Sequence, residues 1–175
     1  MPDGHVNLAK YIREIPDWPV KGVLFRDITP LLADAAAFKA SIDVMIVPFA
    51  GRKIDYVAAV ESRGFIFGAA IAAKLNAGFV PIRKRGKLPF KTKSVTYDLE
   101  YGTDTVEIHT DAFGKGAQVL LVDDLLATGG TMCAATQLVE KIGGTVVGIT
   151  FLIELVFLHG RDKLASHTIK TVITY

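Results

Sequence analysis

Short apolar runs alternate along this chain with longer stretches in which apolar positions recur at helical spacing. Residues 54–60, 79–82, 119–122, 145–153 and 168–174 read as strands. Residues 65–75 and 132–142 read as helices, the second with Met132, Ala135, Leu138, Val139 and Ile142 on one side and Gly143-Gly144 as its stop. Residues 95–101 and 105–109 alternate like an antiparallel pair beside a main sheet. Nearer the N-terminus, Val6, Tyr11, Ile12 and Ile15 predict a short amphipathic helix ended by Pro16, and Pro16, Pro19 and Gly22 mark an irregular segment. Asp34 is placed to cap a helix carrying Phe38, Ile42, Met45, Ile46 and Phe49. Strands alternating with helices imply an α/β fold with a mostly parallel, open twisted sheet flanked by helices. Such sheets bind ligands beyond the carboxyl ends of their strands, where Glu61 and Asp123 are expected.

The densest chemistry follows the strand at 119–122. Asp123 and Asp124 come first, then Ala127, Thr128, Gly129, Gly130 and Thr131, then the helix. The small residues let backbone N–H groups at a helix start approach an anion. Two carboxylates ending an apolar strand repel one another and lose hydration unless hydroxyls, a metal-bound ligand or a cation meets them. Ribose hydroxyls suit that need. The pattern is not a Walker loop, since no lysine follows the glycines, and Gly114-Lys115-Gly116 precedes a strand and reads as a turn. At the other strand end, Glu61-Ser62-Arg63-Gly64 offers a guanidinium fork for phosphate oxygens.

Composition narrows the options. The chain has 175 residues, half of them hydrophobic, which suits one domain with a substantial core. Its net charge of +2 gives no reason to expect nucleic-acid binding. The basic residues are concentrated instead at Arg83, Lys84, Arg85, Lys87, Lys91 and Lys93, a lid suited to an anionic substrate. Cys133 is the only cysteine, on an apolar helix face, so it reads as packing and fits a reducing compartment. No signal peptide is expected, and the apolar run 146–158 is broken by Glu154 and too short to span a bilayer. The expected protein is cytoplasmic and does not bind membranes. His5, His109, His159 and His167 have no ligand spacing, so no zinc site is assigned.

The stretch Val122-Asp123-Asp124-Leu125-Leu126-Ala127-Thr128-Gly129-Gly130-Thr131 resembles the phosphoribosyl-pyrophosphate (PRPP) motif of type I phosphoribosyltransferases, in the form used by the branch that acts on adenine. Residues 22–30, 61–68, 83–89 and 97–102 are similar to that branch's base-contacting segment, pyrophosphate loop and mobile catalytic loop, in the same order. The resemblance implies a single phosphoribosyltransferase domain over 1–175, with a small N-terminal hood over roughly 1–33 and an antiparallel flexible-loop hairpin over roughly 83–105. It implies transfer of phosphoribose to adenine, giving AMP and diphosphate in purine salvage. Glu100, Arg63 and Tyr101 become catalytic, with Glu100 handling the purine's proton near N7 and Tyr101 closing over the site. Asp123, Asp124, Ala127, Thr128, Gly129, Gly130 and Thr131 would hold ribose and 5′-phosphate. Ser62, Arg63, Arg83, Lys84 and Lys87 would hold pyrophosphate, and Leu24, Phe25 and Arg26 the adenine. Mg²⁺ is expected as cofactor, carried mainly by PRPP without a dedicated protein cage. A cis peptide near Glu61-Ser62 and a homodimer are also implied.

Two other readings stay open at the level of sequence. One is a phosphoribosyltransferase for hypoxanthine, xanthine or orotate, because base preference rests on contacts near Leu24–Arg26. The other is a PRPP-sensing regulator of RNA or DNA, which the near-neutral charge and the intact glutamate-bearing segment disfavour.

Overall fold

The computed structural model describes residues 7–98 and 102–175, so Val6 and the expected site residues Glu100 and Tyr101 lie outside the described residues. The chain forms two compact units, 1–44 and 45–175.

In the first unit the expected N-terminal helix is replaced. A 3₁₀ turn, Leu8–Tyr11, leads into strand β1 (Arg13–Pro16), which pairs antiparallel with β2 (Leu24–Asp27) from Arg13↔Asp27 to Pro16↔Leu24. Ile12 is already extended, at φ −97° and ψ 118°. The spacing of Tyr11, Ile12 and Ile15 is compatible with a helix, but the pairing partner lies too far along the chain for local periodicity to register. The connection contains a cis Trp18–Pro19 bond, and Asp17 Oδ1 accepts the Gly22 N–H at 2.7 Å. A short helix α1 (Thr29–Ala33), absent from the sequence reading, starts where Asp27 accepts from the Thr29 amide and hydroxyl at 2.9 and 2.8 Å. Helix α2 (Ala35–Ile46) is capped as expected, with Asp34 Oδ1 accepting the Ala37 N–H at 2.8 Å. It ends before Pro48, so Phe49 sits in a following 3₁₀ turn, Val47–Phe49, rather than on the helix.

The second unit is built from β3 (Tyr56–Val60), α3 (Gly64–Leu75), β4 (Gly78–Lys84), β5 (Thr92–Asp98), β6 (Thr103–His109), β7 (Gln118–Leu126), α4 (Gly130–Lys141), β8 (Thr145–Glu154) and β9 (Ile169–Thr174). Its sheet runs β5-β6-β4-β3-β7-β8-β9. The five strands from β4 to β9 are parallel, and β5 and β6 add an antiparallel edge. The mostly parallel sheet expected from the alternation of elements is therefore present. Central strands must bury both faces, and Val119, Leu120, Leu121 and Val122 are fully buried. One boundary moves: β7 does not stop at Val122 but continues through Asp123 and Asp124 to Leu126, paired with β8 at Asp123↔Phe151 and Leu125↔Ile153. Leu126 is buried and keeps the strand in the core after the two acids.

Strand order reverses beside the central pair. From β3 the chain crosses to β4 on one side, and from β7 it crosses to β8 on the other. The carboxyl ends of β3 and β7 thus flank a topological switch point, where an α/β sheet opens a crevice.

Gly148 on β8 leaves room for the ring of Phe49, since a Cβ there would run into that ring. Phe49 is almost fully buried, and Thr150 nearby donates its hydroxyl to the Met45 carbonyl at 2.9 Å. A Gly148→Ala substitution should cost about 1–3 kcal/mol of stability through overpacking, read as a lowered melting temperature. An unchanged melting temperature would show that the ring yields freely.

Candidate active site

The two acids are unlike their strand neighbours. Asp124 is buried, and Asp123 is half-buried at the crevice. Asp123 Oδ1 accepts the Asp124 N–H at 2.9 Å, and Asp124 Oδ2 meets the Arg63 guanidinium at 2.7 Å. Loss of hydration raises the pKa of both carboxyls, and for Asp123 the neighbouring Asp124 charge adds to it. Arg63 opposes the rise, more strongly at Asp124. Asp123 is pushed well above the ordinary carboxylate range.

Arg63 reaches the acids because Gly64 allows it. A side chain at Gly64 would meet Asp123 Oδ1 at 2.7 Å and the Val122 carbonyl at 3.3 Å. The start of α3 therefore rests directly on β7. The Glu61–Ser62 peptide before it is cis, as the resemblance implied. Ser62 is exposed there. Glu61 faces the other way from the acids' loop: its carboxylate accepts the Lys84 N–H and the Arg83 guanidinium, the latter at 3.0 Å. The Arg83 guanidinium also donates to the Lys87 carbonyl at 3.3 Å, and Lys87 is exposed. Lys84 Nζ pairs with Asp104 at 3.1 Å, which keeps the lysine pKa raised.

Ala127–Thr131 line a small cavity of ≈ 80 Å³ together with Asp123 and Met132. Gly129 has φ +79°, and a side chain there would strike the Gly160 carbonyl. The Gly160 backbone in turn lies against the Ala127 carbonyl, so the loop is backed by main chain on its outer side. Arg161 fixes that backing through two contacts to Glu154, at 3.0 and 2.5 Å. The first turn of α4 then points toward the cavity amides that have no partner within the helix. A carboxylate pair, a guanidinium and an anion-binding helix start thus converge at one strand-end crevice. A larger open concavity of ≈ 600 Å³ lies at the opposite strand ends, lined by Lys53, Asn76 and Lys115, but Lys53 is already paired with Asp55 at 3.2 Å.

The expected base-contacting residues belong to the first unit. On β2, Leu24 is exposed, Phe25 stands edge-on to Trp18 with centroids 4.3 Å apart, and Arg26 pairs with Glu14. Among the described residues no cluster of three or more His, Cys, Asp or Glu is placed to hold a metal. No described helix is long and apolar enough to cross a membrane. Sequence reasoning missed Gly160, Glu61 as a brace, and Tyr97, whose hydroxyl accepts from Thr131 at 3.0 Å. Each acts through a contact distant in sequence, for which a single chain carries no periodic signal.

Fold and site together define an α/β protein whose switch-point crevice suits a phosphorylated, hydroxylated ligand. Residues 28–173 match the model of the phosphoribosyl transferase domain. An adenine phosphoribosyltransferase of Pseudothermotoga lettingae is 54% identical over 170 residues, 97% of this chain and 100% of that protein. The crystal structure of adenine phosphoribosyltransferase from Thermoanaerobacter pseudethanolicus superposes with a TM-score of 0.93 at 55% identity, over 96% of this chain and 98% of that one. The enzyme from Saccharomyces cerevisiae, solved with an imino-altritol bisphosphate and adenine, gives 0.91 at 40% identity over 96% and 97%. The chain belongs to the phosphoribosyltransferase family, and within it to the adenine phosphoribosyltransferases.

The buried acids set a testable cost. Their raised pKa values mean that folding favours the protonated carboxyls. The associated stability is present below the unfolded pKa near 3.9 and is lost as pH rises through the higher folded values. Asp123→Asn keeps the oxygen that accepts from Asp124 and removes the charge. Without ligand at neutral pH it should be more stable than the parent by roughly 0.5–2 kcal/mol, an advantage that fades toward about pH 4. Thermal melts across that range decide it; a variant equally or less stable at neutral pH contradicts the assignment of strain to the pair.

Proposed function

We propose that this chain converts adenine and PRPP to AMP and diphosphate. The observation that carries the reading is the convergence of Asp123, Asp124 and Arg63 beside the Gly160-backed loop 127–131. The bond from the anomeric carbon to pyrophosphate breaks, a bond to the adenine ring nitrogen forms, and the ring proton is given up. Such displacement at an anomeric carbon develops oxocarbenium character. The two carboxylates accept from the ribose diol and balance that positive charge. Amides of Ala127–Thr131 with the Thr128 and Thr131 hydroxyls hold the 5′-phosphate. Arg63, with Ser62, Arg83, Lys84 and Lys87, takes up the charge of the leaving pyrophosphate. Leu24, Phe25 and Arg26 bind the base, with the Phe25 ring offering a stacking face. Glu100 handles the proton near N7, a role worth ~10²–10⁴-fold, and Tyr101 closes over the site.

Magnesium fits the donor set. Two adjacent carboxylates suit a hard cation that draws its remaining oxygens from substrate and water, since no described cluster supplies a full shell. When bound, the ion neutralises charge on pyrophosphate. The reading carries with it a cytoplasmic homodimer, in line with the lone cysteine and with exposed apolar Ile66 and Phe79 on adjoining α3 and β4.

A coupled assay of AMP formation from PRPP with adenine, hypoxanthine, xanthine and orotate tests the reaction. Adenine should be used far better than the others; equal use, or turnover with another base only, overturns the adenine assignment. In the same assay Glu100→Gln should lower kcat by about 10²-fold or more. Arg63→Ala should raise the KM for PRPP, and unchanged PRPP kinetics would remove Arg63 from the site.

A further inference from the structure

The Thr131 hydroxyl donates to the Tyr97 hydroxyl at 3.0 Å. A threonine hydroxyl has one proton, so in this arrangement Thr131 gives it to β5 and not to the cavity of the 127–131 loop. Strand β5 lies directly on the loop–helix junction because Gly130 has no side chain. A Cβ at Gly130 would stand 3.2 Å from the Tyr97 ring and 3.4 Å from the Asp98 carbonyl. On the same face of the hairpin, Tyr97 is in register with Asp104 on β6. Asp104 in turn holds Lys84 Nζ at 3.1 Å. A row of polar groups thus crosses from α4 over β5 and β6 to β4, joining Thr131 at one end to Lys84 at the other. The described groups facing Tyr97 along that row are Thr131, Asp104 and Lys84. Burial raises the Tyr97 pKa, so the phenol keeps its proton and can both accept and donate.

We propose that Tyr97 is a positioning residue that couples filling of the 5′-phosphate loop to the placement of the β5–β6 hairpin. With phosphate in the loop, Thr131 turns its proton to a phosphate oxygen. Tyr97 then turns its own proton to the Thr131 oxygen, so the contact is kept with its direction reversed. The exchange strengthens Thr131 as a donor and tightens the contact that already holds β5 against α4. The inference rests on the phosphoribosyl reading of the site.

The test is Tyr97→Phe, with ribose 5-phosphate and AMP as probes and adenosine and pyrophosphate as controls. Calorimetry should show the two 5′-phosphate ligands bound roughly three- to tenfold more weakly, with the controls unchanged. Tyr97→Phe combined with Thr131→Val should be no worse than Thr131→Val alone. Hydrogen exchange of residues 92–98 and 103–109 should slow on adding ribose 5-phosphate to the wild type, and not in Tyr97→Phe. Equal protection in the variant, or equal weakening of phosphate-free ligands, overturns the coupling. If the wild type binds neither phosphorylated probe, the phosphoribosyl reading fails and the inference falls with it.

Discussion

The architecture of the second unit turns on two neighbouring carboxylates kept out of water on a central strand. A lone buried carboxylate is costly and two adjacent ones are more so. Asp124 is tolerated because Arg63 meets it at 2.7 Å, and Arg63 can be there because Gly64 lets α3 start against β7. Among the described residues Asp123 has no cation paired with it as Arg63 is with Asp124, and burial together with its neighbour pushes its pKa well up. Hydroxyls or a cation reaching the crevice would restore what desolvation removed, so a ligand of that chemistry would relieve the strain carried by the empty protein.

The 127–131 loop rests on main chain more than on side chains. Gly129 takes a left-handed turn against the Gly160 carbonyl, and the Glu154–Arg161 pair anchors the segment behind it. The basic residues at the end of β4 are held by side chains instead. Arg83 and Lys84 are both engaged by protein carboxylates, Glu61 and Asp104, which pre-orient them and set what an incoming anion must compete with.

Much of this was legible in the sequence, and the residues explain why. The strands at 119–122 and 145–153 and the helix at 65–75 declare themselves because burial of both sheet faces demands unbroken apolar runs and α3 demands a continuous apolar face. Asp123, Asp124 and the small loop stood out because acids seldom follow such a run. The Asp34 cap was readable from one residue type in one place. Local signals failed where a distant partner decided the outcome. Ile15 went into a strand edge because Leu24–Asp27 pairs there, and β7 outran its expected end because β8 continues beside it. Gly160 and Tyr97 matter through contacts with the 127–131 loop and Thr131, and no spacing rule reaches that far.

The central claim is that the loop at 127–131 and the acids before it grip a phosphorylated pentose. Calorimetric comparison of AMP with adenosine, for the wild type and for Gly129→Ala, addresses it most directly. The wild type should bind AMP roughly 100-fold more tightly than adenosine, as two or more charge-assisted hydrogen bonds would give, and Gly129→Ala should close most of that gap. Equal affinities for the two ligands in the wild type, or a gap that survives Gly129→Ala intact, would contradict the account.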